Sequence, residues 1–233
     1  MSDSRRVGLT TVTKKFIIAL SGFGLVAFVI LHLLGNLSLY CSQGIHFNAY
    51  AAKLEGFGSL LTVAEIGLLL VFLVHIGSAL GSKKKNLDAR PERYRAWKSK
   101  GGETPSNLSS RTMAISVILI LAFVVIHVWQ FRFGAGLAQG YAVTAENGKE
   151  EIRDLYRLVV EILKNPAWAS FYVVAMILLG IHLRHGVWSA FQSMGWTSRR
   201  MNRNFRIVCS VLGVILAVGF LFIPVWIYFG IQR

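Results

Sequence analysis

Phe16–Leu37 reads FIIALSGFGLVAFVILHLLGNL: twenty-two residues with no charged side chain and one histidine, His32. A helix of about 20 residues, rising about 1.5 Å per residue, crosses the hydrocarbon of a bilayer. Four further runs of this kind follow, at roughly Leu60–Leu80, Met113–Phe133, Trp168–Ala190 and Ile207–Phe229. Each is continuous, whereas a membrane β-barrel shows alternating strands of about ten residues. The sequence therefore predicts an all-α membrane protein, a single membrane domain over 1–233 with five transmembrane helices in a bundle. The first run is too long for a secretory signal, and no small-residue cleavage site follows it.

The composition agrees. Of 233 residues, 54% are hydrophobic and 15% charged, with a mean hydropathy of +0.54. The net charge of +14 and a pI near 10.2 would ordinarily suggest a nucleic-acid partner. Here the charge lies between long apolar runs, so no nucleic acid is expected. Five spans put the N-terminus, the 81–112 loop and the turn between the fourth and fifth spans on one side. That side holds 18 of the 25 Lys and Arg but only four of the 11 Asp and Glu, and so carries the whole net charge. The positive-inside rule then puts the N-terminus in the cytoplasm and the C-terminus outside. Cys41 and Cys209 fall at opposite faces, too far apart for a disulfide, and read as free thiols. Two outer segments are more than linkers. Phe47–Phe57 has mixed helical periodicity, and 150–163 places Ile152, Leu155, Tyr156, Val159, Ile162 and Leu163 on one side of an amphipathic interfacial helix.

Four of the spans carry a histidine: His32, His75, His127 and His182, with His185 three residues beyond the last. A lone histidine on an apolar helix is more often a packing residue than a ligand, but ionisable groups inside a membrane are costly and usually functional. Depth sharpens the point. His32 and His127 lie about 16 and 14 residues into spans that start inside, and His75 and His182 about 15 and 14 residues into spans that start outside. That makes two pairs at two levels, roughly 10–15 Å apart at the helical rise. One bis-histidine haem at each level fits: neutral imidazole ligates iron through one nitrogen and donates the other N–H to a neighbour. With no C-x-x-C-H, such a haem is held non-covalently. Zinc is the competing metal, but requires four ligands at one level. Gly22, Gly24, Gly35, Gly77, Ser78, Gly180 and Gly186 leave room for a flat cofactor, and equally suit helix–helix packing. His46, in the outer loop, reads as solvated.

At these residues the chain resembles the cytochrome b membrane-anchor subunit of succinate dehydrogenases and quinol:fumarate reductases, in its five-helix, two-haem form, over nearly its whole length. His32-Leu-Leu-Gly-Asn36 is similar to the first-helix ligand segment. Asn86-Leu-Asp-Ala-Arg-Pro-Glu-Arg-Tyr94 is similar to the inner loop, and Ser109-Ser-Arg-Thr112 to the opening of the third helix. His182-x-x-x-Gly186 with Gly195 matches the fourth-helix pattern. The resemblance implies axial pairs His32–His127 and His75–His182, with His185 and Arg111 available to the haem propionates. It implies a respiratory complex in which this chain has no catalytic residue of its own. A flavoprotein subunit with FAD and an iron–sulfur subunit would dock on the cytoplasmic face. Electrons would run between succinate or fumarate and a membrane quinone, menaquinone in the two-haem class, in the inner membrane of a bacterium. Glu55, in Ala52-Lys-Leu-Glu55, resembles the acidic residue used in menaquinol oxidation; it equally reads as a solvated charge beside Lys53. Glu65 is a second carboxyl, costly in the membrane unless partnered. Two other readings stand beside this one. A membrane cytochrome b of a hydrogenase or formate dehydrogenase would place its ligands on other helices. A histidine-relay proton transporter would show broken helices and repeats.

Overall fold

The computed structural model describes residues 10–88, 108–145, 148, 150–197 and 202–231. The run Ala89–Tyr94, the rest of the basic loop and the segment 1–9 lie outside the described residues, as does the side chain of Arg111. The described chain is mostly helical. In order come α1 (Thr11–Asn36), α2 (Ile45–Glu55), α3 (Ser59–Asp88), α4 (Leu108–Phe131), the ribbon β1 (Ala142–Thr144) and β2 (Glu151–Arg153), α5 (Leu155–Leu163), α6 (Pro166–Ser193) and α7 (Asn202–Gly230).

Four of these helices, α1, α3, α6 and α7, are long and apolar enough to cross a membrane, and α4 is apolar over 116–131. Their starts obey local chemistry. The Thr10 hydroxyl accepts the Thr13 N–H at 3.1 Å to cap α1. Asn165 caps α6, whose first residue is Pro166, a position where the missing N–H costs nothing. None of the most apolar stretch of α3 is buried within the protein. Exposed apolar surface on that scale is foreign to a soluble monomer and identifies a multi-pass membrane protein.

The tightest packing is between α6 and α7. A methyl group on Gly180 would meet the Ala217 Cβ at 2.6 Å, and one on Gly219 would meet Leu33 of α1 at 2.7 Å. α1 packs on α3 and α6, and α4 on α6. The small residues therefore divide. Gly180 serves helix–helix contact, Gly22 lies against a histidine ring, and among the described residues nothing stands within 4 Å of a methyl placed on Gly77 or Gly186.

One end of the bundle carries a small cap built from α2, the ribbon and α5. It gathers the last residues of α1, α4 and α7 and the first of α3 and α6. A cluster of Leu39, Phe47, Val159, Leu163, Tyr172, Ile223 and Ile227 forms its core. The expected helix over 150–163 is corrected here. Residues 151–153 are a strand paired antiparallel with 142–144, and the helix begins only at Leu155. The reason is Asp154. Its carboxylate accepts the Arg157 N–H at 3.0 Å as an N-cap, which stops the helix from extending backward. The apolar face of α5 is also buried on protein, through Leu158, Val159 and Leu163. On its polar face Glu161 accepts from Tyr141 and Arg157, and those bonds hold its carboxyl below the usual range.

Asn48 joins α2 to α5. Its amide N–H donates to Asp154 at 2.8 Å and its carbonyl accepts the Tyr156 N–H at 2.8 Å. Asp154→Ala removes an N-cap, worth about 1 kcal/mol, and leaves buried Asn48 half satisfied, which costs roughly another 1–3 kcal/mol. Hydrogen exchange across 155–163 should speed up markedly while the α6 and α7 amides keep their protection.

Candidate functional site: histidines paired at two depths

α1, α4 and α7 run toward the cap and α3 and α6 run away from it, so the depth of each histidine follows from its position along its helix. His32 of α1 and His127 of α4 come together near the cap, their ring centroids 5.8 Å apart and their planes at 86°. Two metal–imidazole bonds of about 2 Å on opposite sides of one ion hold ring centroids about 6 Å apart. An edge-to-face aromatic contact has a similar spacing, so the nitrogens decide what the pair can do. Tyr172 stands at the Nδ1 edge of His127, 3.5 Å away, which leaves Nε2 for a ligand. Phe28 stacks on His32 at 5.3 Å, and Phe123 and Phe131 flank His127 at 5.4 and 5.2 Å. These rings exclude water from the pair.

The second level is set by His75 of α3. Its Nδ1 lies 3.1 Å from the Ile18 carbonyl and 3.1 Å from the Ser21 hydroxyl. A carbonyl only accepts, so Nδ1 carries the proton. Ser21 directs its own proton to the Ile17 carbonyl at 2.7 Å and offers His75 a lone pair. Nε2 of His75 is thus unprotonated and free to bind a metal. The ring lies so close to α1 that a methyl on Gly22 would meet Cε1 at 3.2 Å. His182 of α6 lies within electrostatic reach of His75. Its Nδ1 is buried without a hydrogen-bond partner among the described residues, and a buried nitrogen of that kind calls for one.

The spacing of the levels can be measured on two helices. From Ser21, which touches His75, to His32 is 11 residues on α1, roughly 16 Å. From Tyr172, beside His127, to His182 is 10 residues on α6, roughly 15 Å.

The remaining sequence-read residues sort by place. His185 is half-buried further along α6, within electrostatic reach of Arg206. Arg206 in turn lies 5.8 Å over the Trp188 ring. Glu55 ends α2, exposed, within electrostatic reach of the Arg132 and Arg153 guanidinium groups. Glu65 is partnered: the Arg132 guanidinium donates to it at 2.7 and 3.3 Å, tying the cap end of α3 to the end of α4. His46 is exposed on α2. Cys41 is exposed and Cys209 buried, both as free thiols. Among the described residues no three His, Cys, Asp or Glu side chains converge as a metal-ion cluster.

Sequence reasoning missed Tyr172, Gln130 and Ser21. A signal for the first two was present: a tyrosine within an apolar span needs a partner for its hydroxyl, and Gln130 follows His127 by one turn.

The described fold is that of an all-α, multi-pass membrane protein in which two intramembrane histidines, His32 and His127, face one another. No family model, no curated protein and no solved structure matches the chain.

Proposed function

We propose that this chain is the dihaem cytochrome b subunit of a bacterial succinate:quinone oxidoreductase. In this reading it crosses the inner membrane five times with its N-terminus in the cytoplasm. It anchors a flavoprotein and an iron–sulfur subunit there and passes electrons between them and membrane menaquinone. The observation that supports the reading is His32 facing His127 on two helices that run the same way, with His75 and His182 within electrostatic reach of each other further from the cap.

The residues suit non-covalent haem. His32 and His127 would hold one group near the cap, and His75 and His182 the other nearer the basic side. A haem held between two imidazoles would supply one-electron chemistry. The protein's own part is orientation and exclusion. The Ile18 carbonyl and Ser21 fix the His75 ring, and the aromatic walls keep water from His32 and His127. His185 and Arg111 lie on the basic side, where propionates would be met. Glu55, exposed at the end of α2, would be the carboxylate that meets the quinone.

The test is purification from a membrane expressing the chain with its complex. Two haem b per chain in a reduced-minus-oxidised spectrum, with a flavoprotein and an iron–sulfur protein co-migrating, is the expected result. A chain without b-type absorbance overturns the reading.

A further inference from the structure

Tyr172 lies in the second turn of α6, at its cap end, 6% exposed, among the Phe123 and Phe131 rings at 5.3 and 6.0 Å. Its hydroxyl donates to the Gln130 side-chain carbonyl at 2.7 Å. A phenol has one proton. With that proton directed at Gln130, the oxygen presents lone pairs to its other neighbour, the His127 Nδ1 at 3.5 Å. The ring nitrogen facing a lone pair is the one that carries hydrogen. We infer that Tyr172 and Gln130 are positioning residues that fix the tautomer of His127, keeping Nδ1 protonated and Nε2 open to an axial bond. The inference rests on the proposed function for the identity of what is bound.

The geometry explains the residue types. Gln130 follows His127 by three residues on α4, one turn away on the same face, so one helix supplies both the ligand and the end of its relay. Tyr172 comes from the neighbouring helix and joins them. Phenylalanine would fill the same space and make the same ring contacts, but would leave Nδ1 without an acceptor. The other level does this differently. His75 donates to the Ile18 main-chain carbonyl, which no side-chain replacement removes. A change at Tyr172 therefore acts on one level alone.

The sign follows from ligand chemistry. An acceptor at Nδ1–H makes the imidazole a stronger electron donor through Nε2 and so favours the oxidised iron. Losing the acceptor favours the reduced state. In the purified complex, Tyr172→Phe should raise the midpoint potential of one haem, shifting its oxidised-to-reduced equilibrium by roughly 3- to 10-fold, the scale of one hydrogen bond. The low-spin EPR signal of that haem should move, and the second haem should keep both its potential and its signal. Gln130→Leu, which removes the phenol's acceptor but leaves the phenol, should shift the same haem in the same direction by less. Selective loss of that one haem from a folded Tyr172→Phe complex would count equally for the relay, since only an O–H has been removed. Both potentials unmoved in both variants, with two haems present, would overturn the relay alone. A wild-type complex without haem would overturn the proposed function, and the relay with it.

Discussion

If the chain holds two haems as proposed, replacing His32 with leucine should lower the haem content of the purified complex from two to one and leave the second haem's spectrum intact. The expectation follows from how the levels are built. His32 faces His127 at 5.8 Å between ring centroids, and no other histidine shares that depth, because His75 is held against Ile18 and Ser21 roughly 16 Å away along α1. Leucine keeps the helix and much of the side-chain volume, so the contacts with Phe28 and Phe220 are largely retained and the bundle still forms. What is lost is one axial bond, and a non-covalent haem with a single ligand in an apolar slot has little else to retain it. His75→Leu should remove the other haem by the same argument. His185→Leu and His46→Leu should remove neither, since the proposed assignment gives neither of them an axial bond. Haem per chain by pyridine haemochromogen assay, with EPR to tell which centre remains, checks all four. Two haems in the His32→Leu protein would end this assignment.

These histidines were legible in the sequence because two constants govern a membrane helix. Bilayer thickness fixes how long an apolar run must be, and the helical rise converts a position within the run into a depth. Nothing comparable governs the polar contacts between helices. Glu65 and Arg132 stand 67 residues apart, and their pairing depends on how α3 and α4 approach at the cap, which no periodicity encodes. The start of α5 was misread for a different reason. Ile152 fits a helical stripe and a strand equally well, and the deciding group was Asp154, whose side chain caps the helix from within the amphipathic pattern. Glycines posed the same difficulty. Gly77 and Gly180 look alike in sequence, yet one opens on empty space and the other touches Ala217.

Gly213 fits no sequence pattern, yet its replacement would strike the main chain of α6. A Cβ at this position would lie 2.8 Å from the Arg184 main-chain nitrogen and 3.1 Å from its Cα. A side chain in the way can rotate, but the backbone of a regular helix cannot yield locally, so Gly213→Val must push α7 away from α6. Overpacking of this kind costs roughly 1–3 kcal/mol, which in a chain of this size lowers the melting temperature by about 3–10 °C. The consequence reaches the site, because Arg184 is two residues from His182. Moving α6 displaces His182 relative to His75 on α3, a helix that packs on α1 rather than on α7. The haem near the basic side should therefore be lost or show an altered low-spin signal, while the haem near the cap, whose His127 sits on α4, is affected less. Gly67→Ala is the matched control. Nothing stands within 4 Å of its added methyl, and alanine is the better helix former by about 1 kcal/mol, so its stability should equal or exceed that of the wild type. Equal melting temperatures for Gly213→Val and Gly67→Ala would mean that the close approach of α6 and α7 does not hold His182 in place.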